Sequence, residues 1–253
     1  MRLNGQAAIV TGGGSGLGAA TARRLASADC RVTVLDINQP MVEASAQSIG
    51  GIGIVCDVAD AASAEGAVVK ARETHGPARL LVNCAGVGTA GRIVGRDGPM
   101  PLAAFERVIR INLIGSFNLL RLAAADMTAL DPLEDGERGV IVNTASIAAY
   151  EGQVGQPAYA ASKAGVVGMT LPAARELARF GVRVVTIAPG LFHTPMVEGL
   201  PEEVQQSLAA GIPFPSRLGM PEEYAALVEH IATNRFLNGE TIRLDGALRM
   251  PPR

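Results

Sequence analysis

Tyr159 and Lys163 stand four positions apart, so a helix through this segment would place both side chains on one face. A free phenol has a pKa of about 10 and is a poor base at neutral pH, but a neighbouring ammonium favours the phenolate. Tyr159 could therefore accept a proton from an alcohol. The same spacing also occurs by chance on exposed helix faces. Whether this pair is catalytic therefore depends on its position in the fold.

Ser146 follows the apolar, β-branched run from Gly139 to Thr144, which predicts a buried strand. Ligands of open α/β sheets bind at the carboxyl ends of the strands, where Ser146 would lie. The loop between Ser146 and Tyr159 is long enough to bring both hydroxyl groups to one substrate oxygen.

A glycine-rich loop follows the first apolar run, Ala7 to Val10, and precedes a run of good helix formers. Glycines at 12, 16 and 18 would let the backbone turn sharply and approach a pyrophosphate at the N-terminus of the helix. A second register, starting at Gly14, fits the ordinary dinucleotide-binding fingerprint as well. The order of strand, loop and helix favours dinucleotide binding over a simple tight turn.

Two acidic residues end the second and third predicted strands. Asp36 is placed to accept hydrogen bonds from the adenosine ribose hydroxyls, and its charge would repel a 2′-phosphate, which favours NAD over NADP. An oxidised nicotinamide near Tyr159 would further favour the phenolate. Asp57 could bond the adenine amino group, but an N-cap or turn role is nearly as plausible for it.

Short β-branched runs alternate with Ala-rich segments of helical period along the chain, which predicts an α/β fold with a doubly wound, Rossmann-type parallel sheet and helices on both faces. We predict one domain over residues 1–253, because no repeat or low-complexity linker divides the chain. Gly88 to Pro101 and Leu191 to Pro221 fit the alternation poorly. The second, over about 191–219, has the composition of a loop that covers a substrate.

The composition narrows the class of protein. With 253 residues, 48% of them apolar, and a net charge of -2, the chain can bury a full core and shows no basic surface for nucleic acid. Its apolar runs are shorter than a membrane span, and the first strand begins almost at the start, so we expect neither membrane insertion nor a leader peptide. Three widely spaced cysteines and three histidines predict no disulfide and no metal site, and favour a cytoplasmic location.

The glycine loop, an Asn-x-Ala-Gly motif, a strand-end Ser and Tyr-x-x-x-Lys together resemble the short-chain dehydrogenase/reductase family over essentially the whole chain. The resemblance implies a catalytic tetrad of Asn112, Ser146, Tyr159 and Lys163. Tyr159 would be the general acid/base, and Ser146 would bond the reacting oxygen. Lys163 would hold the ribose and lower the pKa of Tyr159, and Asn112, in a helical segment, would hold a water that links Lys163 to solvent.

The family's cofactor-supporting Asn-Asn-Ala-Gly motif has cysteine at its second position here, which leaves position 84 a backbone role and puts a side-chain role in doubt. In the family's nicotinamide-side loop, Thr194 would bond the carboxamide and the Phe192 backbone would assist. His193, beside them, is not needed as a second base. The candidate cofactor-binding residues are Gly12, Ser15, Gly16, Leu17, Gly18, Asp36, Asp57, Val58, Asn83, Cys84, Ala85, Gly86, Tyr159, Lys163, Phe192 and Thr194.

Within this family, the segments 143–156, 212–219 and 236–247 are most similar to the type 2 group of 3-hydroxyacyl-CoA dehydrogenases, also called 17β-hydroxysteroid dehydrogenases of type 10. That resemblance implies NAD-dependent oxidation of a secondary alcohol, the 3-hydroxyl of a short or branched acyl-CoA. It also implies a homotetramer, with the last strand and the helix around 222–232 in one interface. No cluster of Lys or Arg for the CoA phosphates is evident in the sequence, and the segment 87–102 is shorter than in animal members.

Two kinds of alternative stay open. A 3-oxoacyl-carrier-protein reductase or a hydroxysteroid dehydrogenase would share the tetrad, although the reductases usually prefer NADPH, which Asp36 disfavours. A protein that binds NAD as a sensor or scaffold would share the fold without turnover, and the intact tetrad argues against it.

Overall fold

The computed structural model describes residues 1–199 and 201–252, so Leu200, within the predicted lid, and Arg253 lie outside it. The predicted alternation of strands and helices is confirmed. The strands are β1 (Ala7–Thr11), β2 (Arg31–Asp36), β3 (Ile52–Val55), β4 (Leu80–Asn83), β5 (Val94–Gly95), β6 (Gly98–Pro99), β7 (Gly139–Thr144), β8 (Val182–Pro189) and β9 (Thr241–Leu244).

Seven of these strands form one parallel sheet in the order β3-β2-β1-β4-β7-β8-β9. The chain first winds from β1 outward to β3 and then returns to the other side of β1 with β4. This reversal leaves a crevice at the carboxyl ends of β1 and β4, the place where doubly wound sheets bind their ligands. Every residue of β1, β4, β7 and β8 is buried, because helices cover both faces.

Two layers of helices flank the sheet. The helices are α1 (Gly16–Ser27), α2 (Gln39–Ser48), α3 (Ala61–His75), α4 (Leu102–Ile109), α5 (Gly115–Thr128), α6 (Pro157–Ala178), α7 (Pro195–Glu198), α8 (Glu202–Ala210) and α9 (Pro221–Thr233). Leu25 of α1 and Tyr224 of α9 anchor the core on one face of the sheet. Leu119 and Met127 of α5 anchor the core on the other face.

Local chemistry explains where several helices begin. Proline is the first residue of α6, α7 and α9, where its missing N–H leaves no hydrogen bond unmade. Asp60 caps α3, because its Oδ1 accepts a hydrogen bond from the Ser63 amide at 2.7 Å. These signals fix the ends of the helices that carry the residues discussed below.

The helices α4 and α5 are joined by a π-helical turn, Arg110–Ile114, into one stretch. By length and composition alone, this stretch, Leu102–Thr128, is apolar enough to cross a membrane, and half of its apolar window is buried in the protein. Its buried side chains pack on the sheet, as those of a core helix do.

The two segments that fit the alternation poorly differ in structure. The short segment 88–101 forms a two-stranded hairpin, β5–β6. The predicted lid contains α7 and α8, and its apolar side chains Ile212 and Leu218 pack with Ile147 and with Leu248 of the C-terminal segment. The lid is therefore anchored beside Ser146 rather than free in solvent.

Candidate active site

The helix α6 places Tyr159 and Lys163 on one face, as their spacing predicts. The Lys163 ammonium lies 5.8 Å from the centre of the Tyr159 ring. Lys163 is almost fully buried, with 4% of its surface exposed, whereas Tyr159 is partly open to solvent. The pair therefore combines a buried cation with a partly exposed tyrosine.

Ser146 lies just after β7 and begins the short 3₁₀ turn Ile147–Ala149. Its Oγ accepts a hydrogen bond from the Ala148 amide at 3.1 Å, and its hydroxyl lies near enough to Tyr159 to lower the pKa of the phenol. The joint approach of the two hydroxyl groups to one substrate oxygen stays a prediction. A substrate oxygen near Tyr159 would meet both.

Burial acts on the pKa values of both residues of the pair. It raises the pKa of Tyr159, and the neighbouring Ser146 hydroxyl opposes that rise in part. Burial also lowers the pKa of Lys163 from 10.5 to about 8. The expected lowering of the Tyr159 pKa by the ammonium is outweighed here by burial, and the ammonium itself donates to the Thr144 carbonyl at 2.8 Å.

Gly86 makes room for this ammonium. A Cβ atom at position 86 would lie 3.5 Å from Lys163 Nζ and 3.2 Å from Asn112 Oδ1. The absence of a side chain thus lets the Asn-x-Ala-Gly segment pass close to two members of the predicted tetrad.

Asn112 belongs to the π-helical turn rather than to a regular α-helix. Its Oδ1 accepts from the Val87 amide at 2.8 Å, and its Nδ2 donates to the Val87 carbonyl and to Ser162 Oγ, both at 3.0 Å. Ser162 in turn donates to the Tyr159 carbonyl at 2.7 Å. The Asn112 side chain therefore braces both the motif and the first turn of α6, and its role in holding water stays a prediction.

The glycine loop adopts the register of glycines 12, 16 and 18. Gly12 and Gly16 have positive φ angles of 62° and 50°, and a Cβ on Gly18 would lie 2.2 Å from the Gly12 carbonyl oxygen. Ser15 precedes α1 in an extended conformation and makes no side-chain cap, so the first amides of the helix, at Leu17 and its neighbours, lack a capping side chain. This cradle fits a pyrophosphate.

Asp36 ends β2 beside the loop, as predicted. Its Oδ2 accepts from the Gly14 amide and its Oδ1 from the Asn38 amide, both at 3.0 Å. Each carboxylate oxygen has a second lone pair, so the fixed carboxylate can still accept hydrogen bonds from a ribose. The residues at this end of the sheet therefore fit a dinucleotide.

Asp57 follows β3, and its Oδ1 accepts from the Ala59 amide at 2.9 Å. This is a turn interaction, the alternative role considered for Asp57, and the N-cap of α3 is Asp60 instead. Val58 is buried against Gly115, and its carbonyl accepts from Asn118 at 2.9 Å. Contacts of Asp57 and Val58 with adenine stay predictions.

The Asn-x-Ala-Gly motif after β4 is fixed by hydrogen bonds to side chains of β1 and β7. The Asn83 side chain is buried and donates to Asn143 Oδ1 at 2.9 Å, while the amides of Cys84 and Ala85 both donate to Thr11 Oγ1 at 3.1 Å. The Cys84 backbone thus anchors the motif to β1, and its role towards the cofactor stays a prediction. The Cys84 side chain also joins a buried polar cluster.

The loop after β8 reaches the glycine loop. The buried Phe192 packs its ring against Gly219, and Thr194 precedes α7. A Cβ on Gly16 would lie 3.4 Å from the Thr194 methyl group. The structure therefore brings Thr194 and the glycine loop together, as a shared cofactor would require.

Two groups of residues at the site were not recognised in the sequence. The first group, Arg92, Arg96 and Arg107, lines a cavity of about 490 Å³ that extends from Ala158, at the start of α6, to the β5–β6 hairpin. Asp97 also lines it. These arginines are spread over a loop and a helix, so only the fold shows that they converge.

The second group is the buried cluster of Thr144, Cys84 and Tyr224 behind Lys163. Its members lie far apart in the chain, and a tyrosine on the core face of α9 carries no sequence signal of a polar partner. In the described part of the chain, no group of three or more His, Cys, Asp or Glu side chains is arranged as metal ligands would be.

Comparisons with known proteins agree with this geometry. The family model of the short chain dehydrogenases matches residues 6–205. The chain is 50% identical to 3-hydroxyacyl-CoA dehydrogenase type-2 of Bos taurus over 254 residues, covering 99% of this chain and 97% of that protein. It is 34% identical to a 3-oxoacyl-[acyl-carrier-protein] reductase of Thermotoga maritima, with 98% and 99% of the two chains covered.

A solved structure is similar in the same way. The crystal structure of 3-hydroxyacyl-CoA dehydrogenase type-2 from Mycobacterium avium superposes with a TM-score of 0.94 at 45% identity, covering 98% of each chain. Because the match extends over nearly the whole fold, and the family model matches most of the chain, the protein belongs to the short-chain dehydrogenase family and is an oxidoreductase.

Proposed function

We propose that the protein oxidises the 3-hydroxyl group of a short or branched 3-hydroxyacyl-CoA to a ketone, with NAD as the hydride acceptor. The observation that carries this proposal is the pair on α6, with the buried Lys163 ammonium 5.8 Å from the Tyr159 ring and Ser146 near enough to lower the pKa of Tyr159. The names of the type-2 relatives supply the substrate class.

The chain's own residues account for the proton in this reaction. Tyr159 accepts the alcohol proton, and Ser146 donates a hydrogen bond to the same oxygen as it becomes a carbonyl. Lys163 keeps a positive charge near Tyr159, which favours the phenolate that takes up this proton. When bound, the nicotinamide supplies the hydride chemistry, and the glycine loop, Asp36 and Thr194 would hold it.

The choice of NAD rests on Asp36. Its carboxylate is held by two backbone amides, so it cannot easily turn away from a 2′-phosphate. Initial rates with NAD and NADP measure this choice. A clear preference for NADP would contradict it and would favour the 3-oxoacyl-carrier-protein reductase alternative.

The substrate class is tested by a panel of 3-hydroxyacyl-CoAs and hydroxysteroids with NAD, followed by NADH absorbance. We expect turnover of short 3-hydroxyacyl-CoAs and its loss in Tyr159→Phe. Turnover of steroids alone would favour the hydroxysteroid dehydrogenase alternative. Binding of NAD without oxidation of any alcohol would favour the sensor or scaffold alternative.

The arginine-lined cavity supports a phosphorylated substrate. Arg92, Arg96 and Arg107 present guanidinium groups suited to phosphate oxygens, next to the helix that carries Tyr159. We expect Arg92→Ser with Arg96→Ser to raise KM for a 3-hydroxyacyl-CoA about tenfold, the effect of losing one charge-assisted contact. KM for the matching pantetheine thioester, which lacks the nucleotide phosphates, should stay unchanged. An equal rise for both substrates would contradict this use of the cavity.

We further propose a homotetramer in the cytoplasm. β9 is an edge strand whose residues are all half-buried, and Phe236, just before it, is 99% exposed. An open strand edge beside an exposed aromatic side chain is suited to an interface. Light scattering of the wild type and of Phe236→Ser tests the assembly, and a monomeric wild type would contradict it. Localisation of the tagged chain in cells tests the compartment.

A further inference from the structure

Behind Lys163, at the ends of β4 and β7, three side chains form a buried polar cluster with one member on α9. Tyr224 is fully buried, and its hydroxyl lies 2.7 Å from Thr144 Oγ1. The Cys84 sulfur lies 3.7 Å from each of these oxygens. Thr144 is also the residue whose carbonyl accepts from the Lys163 ammonium, at 2.8 Å.

The number of hydrogen atoms fixes the direction of the bonds in this cluster. Thr144 Oγ1 donates its one hydrogen to the Asn83 carbonyl at 2.5 Å. The short contact with Tyr224 therefore requires the Tyr224 hydroxyl to donate to Thr144. Burial raises the pKa of the Cys84 thiol, so the thiol keeps its proton and can donate to Tyr224 in turn.

This direction gives Thr144 two fixed attachments on its side chain, one from β4 and one from α9, while its backbone carbonyl holds Lys163. We propose that Tyr224 is a positioning residue for Lys163: its hydroxyl, acting through Thr144, fixes the carbonyl that orients the ammonium. The inference needs only the family's lysine at position 163 and does not depend on the identity of the alcohol.

The titratable groups around Lys163 are Tyr159 on its own helix, Cys84 after β4, and Tyr224 on α9. Without the Tyr224 hydroxyl, Thr144 can shift and its bond to Lys163 weakens. Because that bond favours the charged lysine, the pKa of Lys163 should fall. A less charged lysine then stabilises the Tyr159 phenolate less.

The sequence offers a direct readout, because Lys70 and Lys163 are its only lysines. NMR titration of the protein labelled with ¹³C at the lysine ε-carbon yields two signals, and exposed Lys70 serves as the internal reference. In Tyr224→Phe we expect the pKa of Lys163 to fall by about half a unit or more. In the assay, kcat should fall and the acidic limb of kcat/KM should move to higher pH, with KM nearly constant.

Thr170→Val is the matched control, because Thr170 also lies on α6 and shares a buried hydroxyl pair, with Thr186 at 2.6 Å. It should lose a similar amount of stability without moving the Lys163 titration. If Tyr224→Phe does not fold, Thr144→Ser and Thr144→Val replace it. The serine variant should keep the wild-type titration, and the valine variant should show the shift.

An unchanged Lys163 titration in Tyr224→Phe, with only a lower melting temperature, would overturn the inference and leave Tyr224 a structural residue. So would an equal shift in Thr170→Val. The NMR readout needs no substrate, so a failure of the proposed alcohol specificity would appear in the turnover assay alone and remain distinguishable.

Discussion

At the scale of single residues, the dominant feature of the site is a cation taken almost completely out of water. The pKa of Lys163 falls from 10.5 to about 8, because burial penalises its charged form. Below pH 8 the lysine is protonated in both the folded and the unfolded chain. The folded chain then bears the full free-energy cost of burying the charge. Between pH 8 and 10.5 only the unfolded chain binds the proton, so the stability of the wild type rises with pH.

Lys163→Met should therefore stabilise the protein while it abolishes turnover. The expected gain in the free energy of unfolding at pH 7 is about 2 kcal/mol, less than the whole burial penalty, because the Thr144 carbonyl loses its donor. The gain should shrink towards pH 10. Urea unfolding of both proteins at pH 7 and pH 10 measures it.

Lys70→Met is the control, since Lys70 is exposed on α3 and should change stability little at either pH. A Lys163→Met variant less stable than the wild type at pH 7 would show that the buried ammonium contributes more through its bonds than burial costs.

The sequence predicts some of these residues and not others, for a physical reason. Ser146 and Asp36 follow recognisable strands, and Tyr159 and Lys163 share a helical spacing, so their placement follows from local structure. Tyr224 meets Thr144 only through the packing of α9 on the sheet. The strength of burial at Lys163 was equally unpredictable, because it depends on every element around the site.

At the scale of elements, the loop between β1 and α1 is the tightest part of the cofactor cradle. Its turn depends on a close approach between Gly18 and the Gly12 carbonyl, where a Cβ atom has no room. The turn therefore depends on backbone packing at Gly18, while side chains of Asp36 and Ser45 bind the loop at Gly14 and Gly13.

We expect Gly18→Ala to weaken NAD binding more than tenfold, because the loop must shift to admit the methyl group and its amides then miss the pyrophosphate. Isothermal titration with NAD gives the dissociation constant. Gly66→Ala in α3 is the control, since a Cβ there meets nothing within 4 Å, and it should leave NAD binding unchanged. Equal affinity in the two variants would refute the role of this contact.

The elements themselves were largely predictable, because buried parallel strands produce unbroken β-branched runs that are easy to recognise. The π-helical turn at Arg110–Ile114 was not, since one extra residue in a turn barely disturbs an apolar pattern. That turn carries Asn112. The small β5–β6 hairpin was also not predicted, because two-residue strands are too short to show a periodic pattern of apolar side chains.

At the scale of the whole molecule, Arg183 connects distant parts of the chain. This buried residue of β8 pairs with Glu137 at 2.8 Å and donates to the carbonyls of Ile231, Ala232 and Leu237. It joins the start of β7, the end of α9 and the approach to β9. Removing Arg183 would leave three carbonyls without their donor and Glu137 with only the Met1 ammonium, 2.9 Å away, as a partner.

Arg183→Met should lower the free energy of unfolding by about 3–5 kcal/mol. In a domain of this size, that corresponds to a fall of roughly 10 °C in melting temperature. Arg23→Met is the control, because Arg23 forms an exposed pair with Glu222 at 3.5 Å and should shift the melting temperature little. Similar shifts in the two variants would mean that the buried pair contributes no more than a surface pair.

The burial of Lys163 also determines how the protein can be modified. Since the sequence contains only two lysines and the other is exposed on α3, a lysine-directed reagent meets one accessible side chain, Lys70. Arginine supplies the remaining cationic side chains outside histidine, and guanidinium groups do not react with such reagents under mild conditions. A dye or a tether could thus be attached through Lys70 in one defined orientation, with the proton-transfer site left intact.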